Sequence, residues 1–245
     1  MNTTSRDTGT WERLWSTDPA ITAAVHLPIF EKHIDPGLPL VDVGCGNGAR
    51  TVFLAGRFHP CVGIDTSASA LERARTVVGE GAGGRSAPDF RQLDAADPGA
   101  MRRLHDELGD ANVYLRGVLQ RSEPASRPRV AESVAALVGE HGRAFVVEAA
   151  AAARAALDQG AGAADPTELP GPLDSPGLSE VSHLSQLPEP PGGPDAGLPV
   201  LTGLFGAAGL RVHAGGTLPL STTEFEPDGS RLDLPSNWLV VGRGT

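Results

Sequence analysis

The 245-residue chain is predicted to be an α/β protein, with a mainly parallel sheet, helices on both faces and an antiparallel hairpin at its end. Three observations predict it. Short apolar runs alternate with helical patterns through residues 38–150, the signature of crossover-connected parallel strands. Three successive runs end in or beside an aspartate, Asp42, Asp65 and Asp94. The last 36 or so residues hold two strand-like stretches, LRVHAGGTLPLSTTEFE and SNWLVVGR, separated by the turn-like DGSRLDLP.

Residues 1–10 are polar. Over 11–35, Trp11, Leu14 and Trp15, then Val25, Ile29 and Phe30, recur at helical spacing, and Asp18-Pro19 suits a helix start. LPLVDVG (38–44) reads as a buried strand, 48–57 as a helix, and CVGID (61–65) as a second strand. A helix over 67–78 is capped by Ser67, and GEGAGG (79–84) is a turn. DFRQLD (89–94) is the third strand and 98–108 a short helix. The fourth strand begins in 111–119, an amphipathic helix covers 126–141, and 142–150 is the fifth strand. Residues 158–199 are crowded with Pro, Gly, Asp and Ser, which forbids regular sheet or a long helix. Loops of that length are functional lids or passive insertions. Here 169–187 carries apolar anchors suited to an acceptor-side lid and 188–197 almost none. PVLTGLFGAAG (199–209) is a helix ended by Gly209.

Composition narrows the function. Hydrophobic residues are 40% and charged residues 20%, an ordinary globular balance. The net charge of −10, without a basic cluster, argues against a broad nucleic-acid footprint, which needs concentrated positive charge. The Ala-rich stretch at 148–157 is too short to span a membrane and Arg154 interrupts it. The first residues show no basic region followed by an apolar one, so a cytoplasmic protein is expected. Two cysteines, Cys45 and Cys61, give no disulfide framework, and neither they nor the seven scattered histidines have zinc-site spacing, so no metal is expected.

The sharpest motif is VDVGCGNGAR (41–50), where Asp42, Gly44, Gly46 and Gly48 follow a strand and open a helix. Glycines let a ligand approach the backbone, and the helix start offers unpaired N–H groups. Gly44-x-Gly46-x-x-Ala49 also fits the dinucleotide fingerprint. The context adds Asp65 after the second strand, suited to a ribose diol, and Asp94 after the third, all on the edge where open α/β sheets bind ligands.

This arrangement over roughly 38–150 resembles class I S-adenosylmethionine-dependent methyltransferases. The resemblance implies a three-layer α-β-α Rossmann-like fold with a seven-stranded sheet whose last strand runs antiparallel. It implies two regions: an N-terminal helical segment over the cofactor site, 1–37, and the methyltransferase domain, 38–245, with the insertion at about 158–199. It implies S-adenosylmethionine as cofactor. The loop Gly44, Cys45, Gly46 and Gly48 would hold the methionine moiety, with Asp42 near its amine through neighbours. Asp65 would take the ribose with Thr66 beside it, and Asp94 and Ala95 would reach the adenine. Cys45 reads as a small buried loop residue rather than a nucleophile, and Cys61 as core.

Methyl transfer from a sulfonium asks mainly for alignment and exclusion of water, so no catalytic residue is assigned. Tyr114 and Arg116 share a strand face, and Arg116 suits a carboxylate of cofactor or acceptor. Where many such enzymes carry a histidine after the fourth strand, this chain has Gln120, which cannot act as a base. Glu148 is a candidate acceptor contact, and Trp11 and Trp15 suit a wall of the acceptor pocket. The leading expectation is methyl transfer to a small molecule in specialised metabolism. Two alternatives stand: a protein of this fold that binds the cofactor as a scaffold or rearrangement catalyst, or a nicotinamide-dependent oxidoreductase. Acceptor atom and oligomeric state are not assigned.

Overall fold

The computed structural model describes residues 19–81, 87–150, 197–225 and 231–244. The expectations for Trp11, Trp15, Asp18 and the 169–187 anchors lie outside the described residues. Seven strands form one sheet in the order β3-β2-β1-β4-β5-β7-β6. They are β1 (Leu40–Val43), β2 (Cys61–Asp65), β3 (Asp89–Gln92), β4 (Asn112–Arg116), β5 (Ala144–Ala149), β6 (Arg211–Phe225) and β7 (Arg231–Gly242). The first five pair in parallel, while β7 runs antiparallel to both β5 and β6. The order reverses direction at β1, so the connections leaving the carboxyl ends of the paired strands β1 and β4 run to opposite sides of the sheet, the place where open α/β sheets form a crevice.

Among the described residues the helices are α1 (Pro19–Phe30), α2 (Ala49–Ala55), α3 (Ala68–Gly81), α4 (Pro98–Leu108), α5 (Arg127–Val138) and α6 (Gly197–Ala207). Strand alternation divides the core. Val41, Val43, Ile64, Val113, Leu115 and Val146 face α4, α5 and α6, with Met101, Leu104, Val134 and Phe205 completing that layer. Leu40, Tyr114, Phe145, Val147 and Val240 face the other way and meet Phe30, Leu54 and Phe58. There Phe30 stacks on Phe145 at 4.9 Å and stands edge-on to Tyr114 at 5.7 Å, geometries that add to simple burial. Helix α4 shows how a local signal sets an element. The Asp97 carboxylate accepts from the amides of Gly99 and Ala100, Pro98 occupies the first turn, and Pro98, Met101 and Leu104 fall on the buried stripe.

The stretch 111–119 begins as a strand, β4, which ends at Arg116 where the chain turns through 117–122. Two expectations need correction. Helix α6 starts at Gly197, inside the stretch read as irregular. Residues 231–235, read as turn, belong to β7, with Leu234 opposite Leu220 and Pro235 opposite Pro219. Among the described residues, no helix is long and apolar enough to cross a membrane.

Candidate functional site

A cleft of about 190 Å³ opens at the carboxyl ends of β1, β2 and β3. Val43 and Gly44 line it from β1, Ile64, Asp65 and Thr66 from β2, and Leu93 to Ala96 from the turn after β3. Val118, Arg121, Ser122 and Val130 close it from the segment after β4 and from α5.

The glycine loop is built on positive φ angles, 69° at Gly44, 57° at Gly46 and 76° at Gly48. Its glycines serve different ends. A Cβ on Gly46 would meet nothing within 4 Å, so this position leaves room for a ligand. A Cβ on Gly48 would lie 2.6 Å from both the Ala74 Cβ and the Phe90 Cζ. Gly48 therefore lets α3 and β3 approach the loop, and it does not line the cleft. Cys45 turns the same way, into a cluster with Leu71, Ala74 and Phe90. Burial, reinforced by the Asp42 and Asp65 charges, pushes its thiol well above the ordinary range, so it stays protonated and is no nucleophile. Its contribution to the loop is its backbone, whose amide donates to the Ile64 carbonyl at 3.0 Å.

Asp65 sits at the rim of the cleft. One carboxylate oxygen accepts from the Gly46 amide and the other from the Ser67 amide, both at 2.9 Å. A carboxylate accepts about four hydrogen bonds, so each oxygen keeps capacity for a ligand hydroxyl. Thr66 lines the cleft beside it, its carbonyl held by the Gln92 side-chain amide at 3.0 Å. Asp94 has a similar arrangement: one oxygen accepts from the Ala96 amide at 2.8 Å, which fixes the turn and sets Ala95 on the cleft wall.

Asp42 and Arg116 do not line the cleft. Asp42 is fully buried beneath the loop. Its oxygens take Arg50 NH2 at 2.6 Å, Arg50 Nε at 3.1 Å and the Thr51 hydroxyl at 2.7 Å. A carboxylate this deep must be paired and hydrogen-bonded, so it reaches the ligand side only through its partners. Arg50 completes that route by donating to the Gly44 carbonyl at 3.1 Å. Arg116 is buried as well, and desolvation, assisted by the Arg50 charge, lowers its pKa to about 9.

Glu148, read as a candidate acceptor contact, and Gln120, which stands where a base would be, form a reciprocal clasp. The Glu148 carboxylate accepts from the amides of Leu119 and Gln120 at 2.8 and 3.1 Å. The Gln120 side-chain oxygen accepts from the Ala149 amide at 3.0 Å. Sequence reading missed Arg50, Thr51 and Arg121. It also missed His26, only 2% exposed in α1, whose Nδ1 shares a 2.6 Å hydrogen bond with the Tyr114 hydroxyl.

Burial, with the nearby Arg116 and Arg50 charges, lowers His26 from 6.5 to about 3. It is neutral when folded, whereas the unfolded chain takes up its proton below 6.5, so this contribution is present above that pH and is lost on acidification toward 3. About 3 kcal/mol is expected to disappear by pH 4. Denaturant titrations at several pH values should show a drop that is absent in His26→Leu. An unchanged pH slope in that variant would rule it out.

The family profile described as a methyltransferase domain matches residues 40–142. Carboxy-S-adenosyl-L-methionine synthase from Chromohalobacter salexigens is 34% identical over 108 residues, covering 42% of this chain and 37% of that protein. The match thus spans little more than a third of that relative. A solved S-adenosylmethionine-dependent methyltransferase from Anabaena variabilis superposes with a TM-score of 0.66 at 24% identity, covering 96% of this chain and 94% of the other. Magnesium protoporphyrin IX methyltransferase from Synechocystis, with bound S-adenosylhomocysteine, gives 0.59 at 17% identity, covering 98% and 95%. Residues 40–142 are thus similar to a methyltransferase domain, and the described residues share the Rossmann-like fold of these solved S-adenosylmethionine-dependent methyltransferases.

Proposed function

We propose that this protein is an S-adenosylmethionine-dependent methyltransferase acting on a small molecule, in the cytoplasm and in specialised metabolism. The observation that carries the reading is Asp65: it sits at the rim of the cleft with one N–H on each oxygen and acceptor capacity facing a ligand. Its carboxylate takes the ribose diol, Asp94 and Ala95 take the adenine edge, and the Gly44–Gly46 backbone lies against the methionine moiety. Thr66 lines the ribose side. Asp42 and Arg116 act from beneath, with Cys45 and Gly48 shaping the loop. The bound sulfonium supplies an activated methyl group, and the chain's part is to bind, orient and exclude water. Gln120, tied to Ala149, supplies no base. The N-terminal segment 1–37 is read as a cover for the cofactor site, although none of its described residues lines the cleft. The formal net charge of −10 favours a small acceptor over a nucleic acid, and two buried free cysteines suit a reducing compartment.

Calorimetric titration should show S-adenosylhomocysteine binding and no binding of NAD or NADP. In Asp65→Ala, affinity should fall by roughly 1–3 kcal/mol, the range for hydrogen bonds to a charged acceptor, with the fold retained. Wild-type affinity in the folded variant would refute the ribose assignment. A second reading, chemistry on the cofactor itself, is favoured by the likeness to carboxy-S-adenosyl-L-methionine synthase. Mass spectrometry of the cofactor after incubation separates the two, since methyl transfer leaves S-adenosylhomocysteine whereas the second reading leaves a sulfonium cofactor carrying a new substituent.

A further inference from the structure

We propose that His26 is a positioning residue for the cofactor loop, acting on it through Tyr114 and Arg50. The inference rests on the loop's role as cofactor site, but it assigns a function to a part of the chain that never touches the cleft.

His26 stands in an apolar nest: its ring is 5.6 Å from Phe145 and 6.1 Å from Tyr114, and Phe30 packs on both of those rings. Burying a polar ring there costs free energy unless it makes a specific bond, and the bond it makes is the one to the Tyr114 hydroxyl. Tyr114, in turn, lies opposite Asp42 in the β1–β4 register. Its ring sits under the Arg50 guanidinium at 4.9 Å, a cation–π contact between two buried partners. Arg50 grips Asp42 and donates to the Gly44 carbonyl, and Gly44 lines the cleft. Three contacts in series therefore run from α1 to the cofactor loop: His26 to Tyr114, Tyr114 to Arg50, and Arg50 to the carbonyl of Gly44, which lines the cleft. Each link has one favoured geometry. The phenol fixes the ring plane, the ring plane fixes where the guanidinium rests, and the guanidinium fixes the Gly44 peptide. Docking of α1 and occupancy of the loop are then linked, and the linkage is reciprocal.

The test uses S-adenosylhomocysteine as the probe, by calorimetric titration of the full chain near neutral pH and well below each variant's melting temperature. His26→Leu and Tyr114→Phe should each raise Kd roughly 3–10-fold, the range for one lost buried hydrogen bond. His26→Asn, whose side-chain amide can still share a bond with the phenol, should recover much of that loss. Phe30→Leu thins the same nest without breaking the series; it should lower the melting temperature and leave Kd within about twofold. Hydrogen exchange gives a second readout. Bound ligand should slow exchange in α1 of the wild type and do so less in Tyr114→Phe. Equal Kd in wild type and folded His26→Leu and Tyr114→Phe would overturn the proposal, as would a Phe30→Leu loss as large as theirs. Should His26→Leu fail to fold, Tyr114→Phe decides alone, since it deletes one oxygen. A wild-type protein that does not bind the probe would overturn the loop assignment and this inference with it. Wild-type binding with unaltered variants would overturn the inference alone.

Discussion

Asp42→Ala is expected to cost about 3–5 kcal/mol of stability, the usual result of stripping a buried cation of its partner. The variant leaves the Arg50 guanidinium, 6% exposed, facing a cavity where two oxygens had been. It also frees the Thr51 hydroxyl and loosens the hold on the Gly44 carbonyl. Thermal or urea unfolding measures the loss directly. A partial recovery is expected in the double variant Asp42→Ala with Arg50→Met, because an apolar chain of similar length has no charge to desolvate. A single-variant loss below about 1 kcal/mol, the scale of an exposed pair, would mean that water reaches the pair freely.

Gly48→Ala should be nearly as damaging, at about 2–5 kcal/mol. One part is the left-handed backbone, φ 76°, which costs an L residue roughly 1–2 kcal/mol. The other is the overlap at 2.6 Å with Ala74 and Phe90, both buried, which makes this an overpacked core of the kind that costs about 1–3 kcal/mol. Gly46→Ala is the control. It has the same backbone term, φ 57°, and open space around the added methyl. Chemical denaturation of the two variants should separate them by the overlap term. Equal losses would show that the Phe90 ring yields to the methyl at little cost.

The two variants mark what could be read in advance and what could not. The β-α alternation, the aspartates at strand ends and the glycines at the first turn are local patterns, and each maps onto a strand end that lines or borders the cleft. Asp65, Asp94 and Gly44 were legible for that reason. The partner of Asp42 was not, because Arg50 reaches it only after the chain has reversed through three left-handed glycines. The inward turn of Cys45 depends on α3 and β3, which arrive from elsewhere in the chain. His26 and Tyr114 are 88 residues apart, and no spacing rule connects them. The opposite error occurred at 231–235, where Asp233 and Pro235 suggest a turn. Registered pairing of β7 with β5 begins at Ser236, and Pro235 meets that side only as an acceptor, its carbonyl taking the Ala150 amide at 2.8 Å, so its missing N–H is not called for there.

The Glu148–Gln120 clasp bears on the calorimetry of ligand association. Three hydrogen bonds fasten the segment after β4 to the end of β5 in the protein as it folds. Restricting a residue's backbone carries an entropy term of about 1–2 kcal/mol. For Val118 to Ser122 that term belongs to the folding equilibrium, so it is absent when a ligand enters the cleft they line. Association on this side of the site should therefore have an enthalpy and heat capacity set by the surfaces that meet, with no ordering component from the segment. Cutting the clasp would transfer that ordering from folding to association, so entropy would change sides before affinity did.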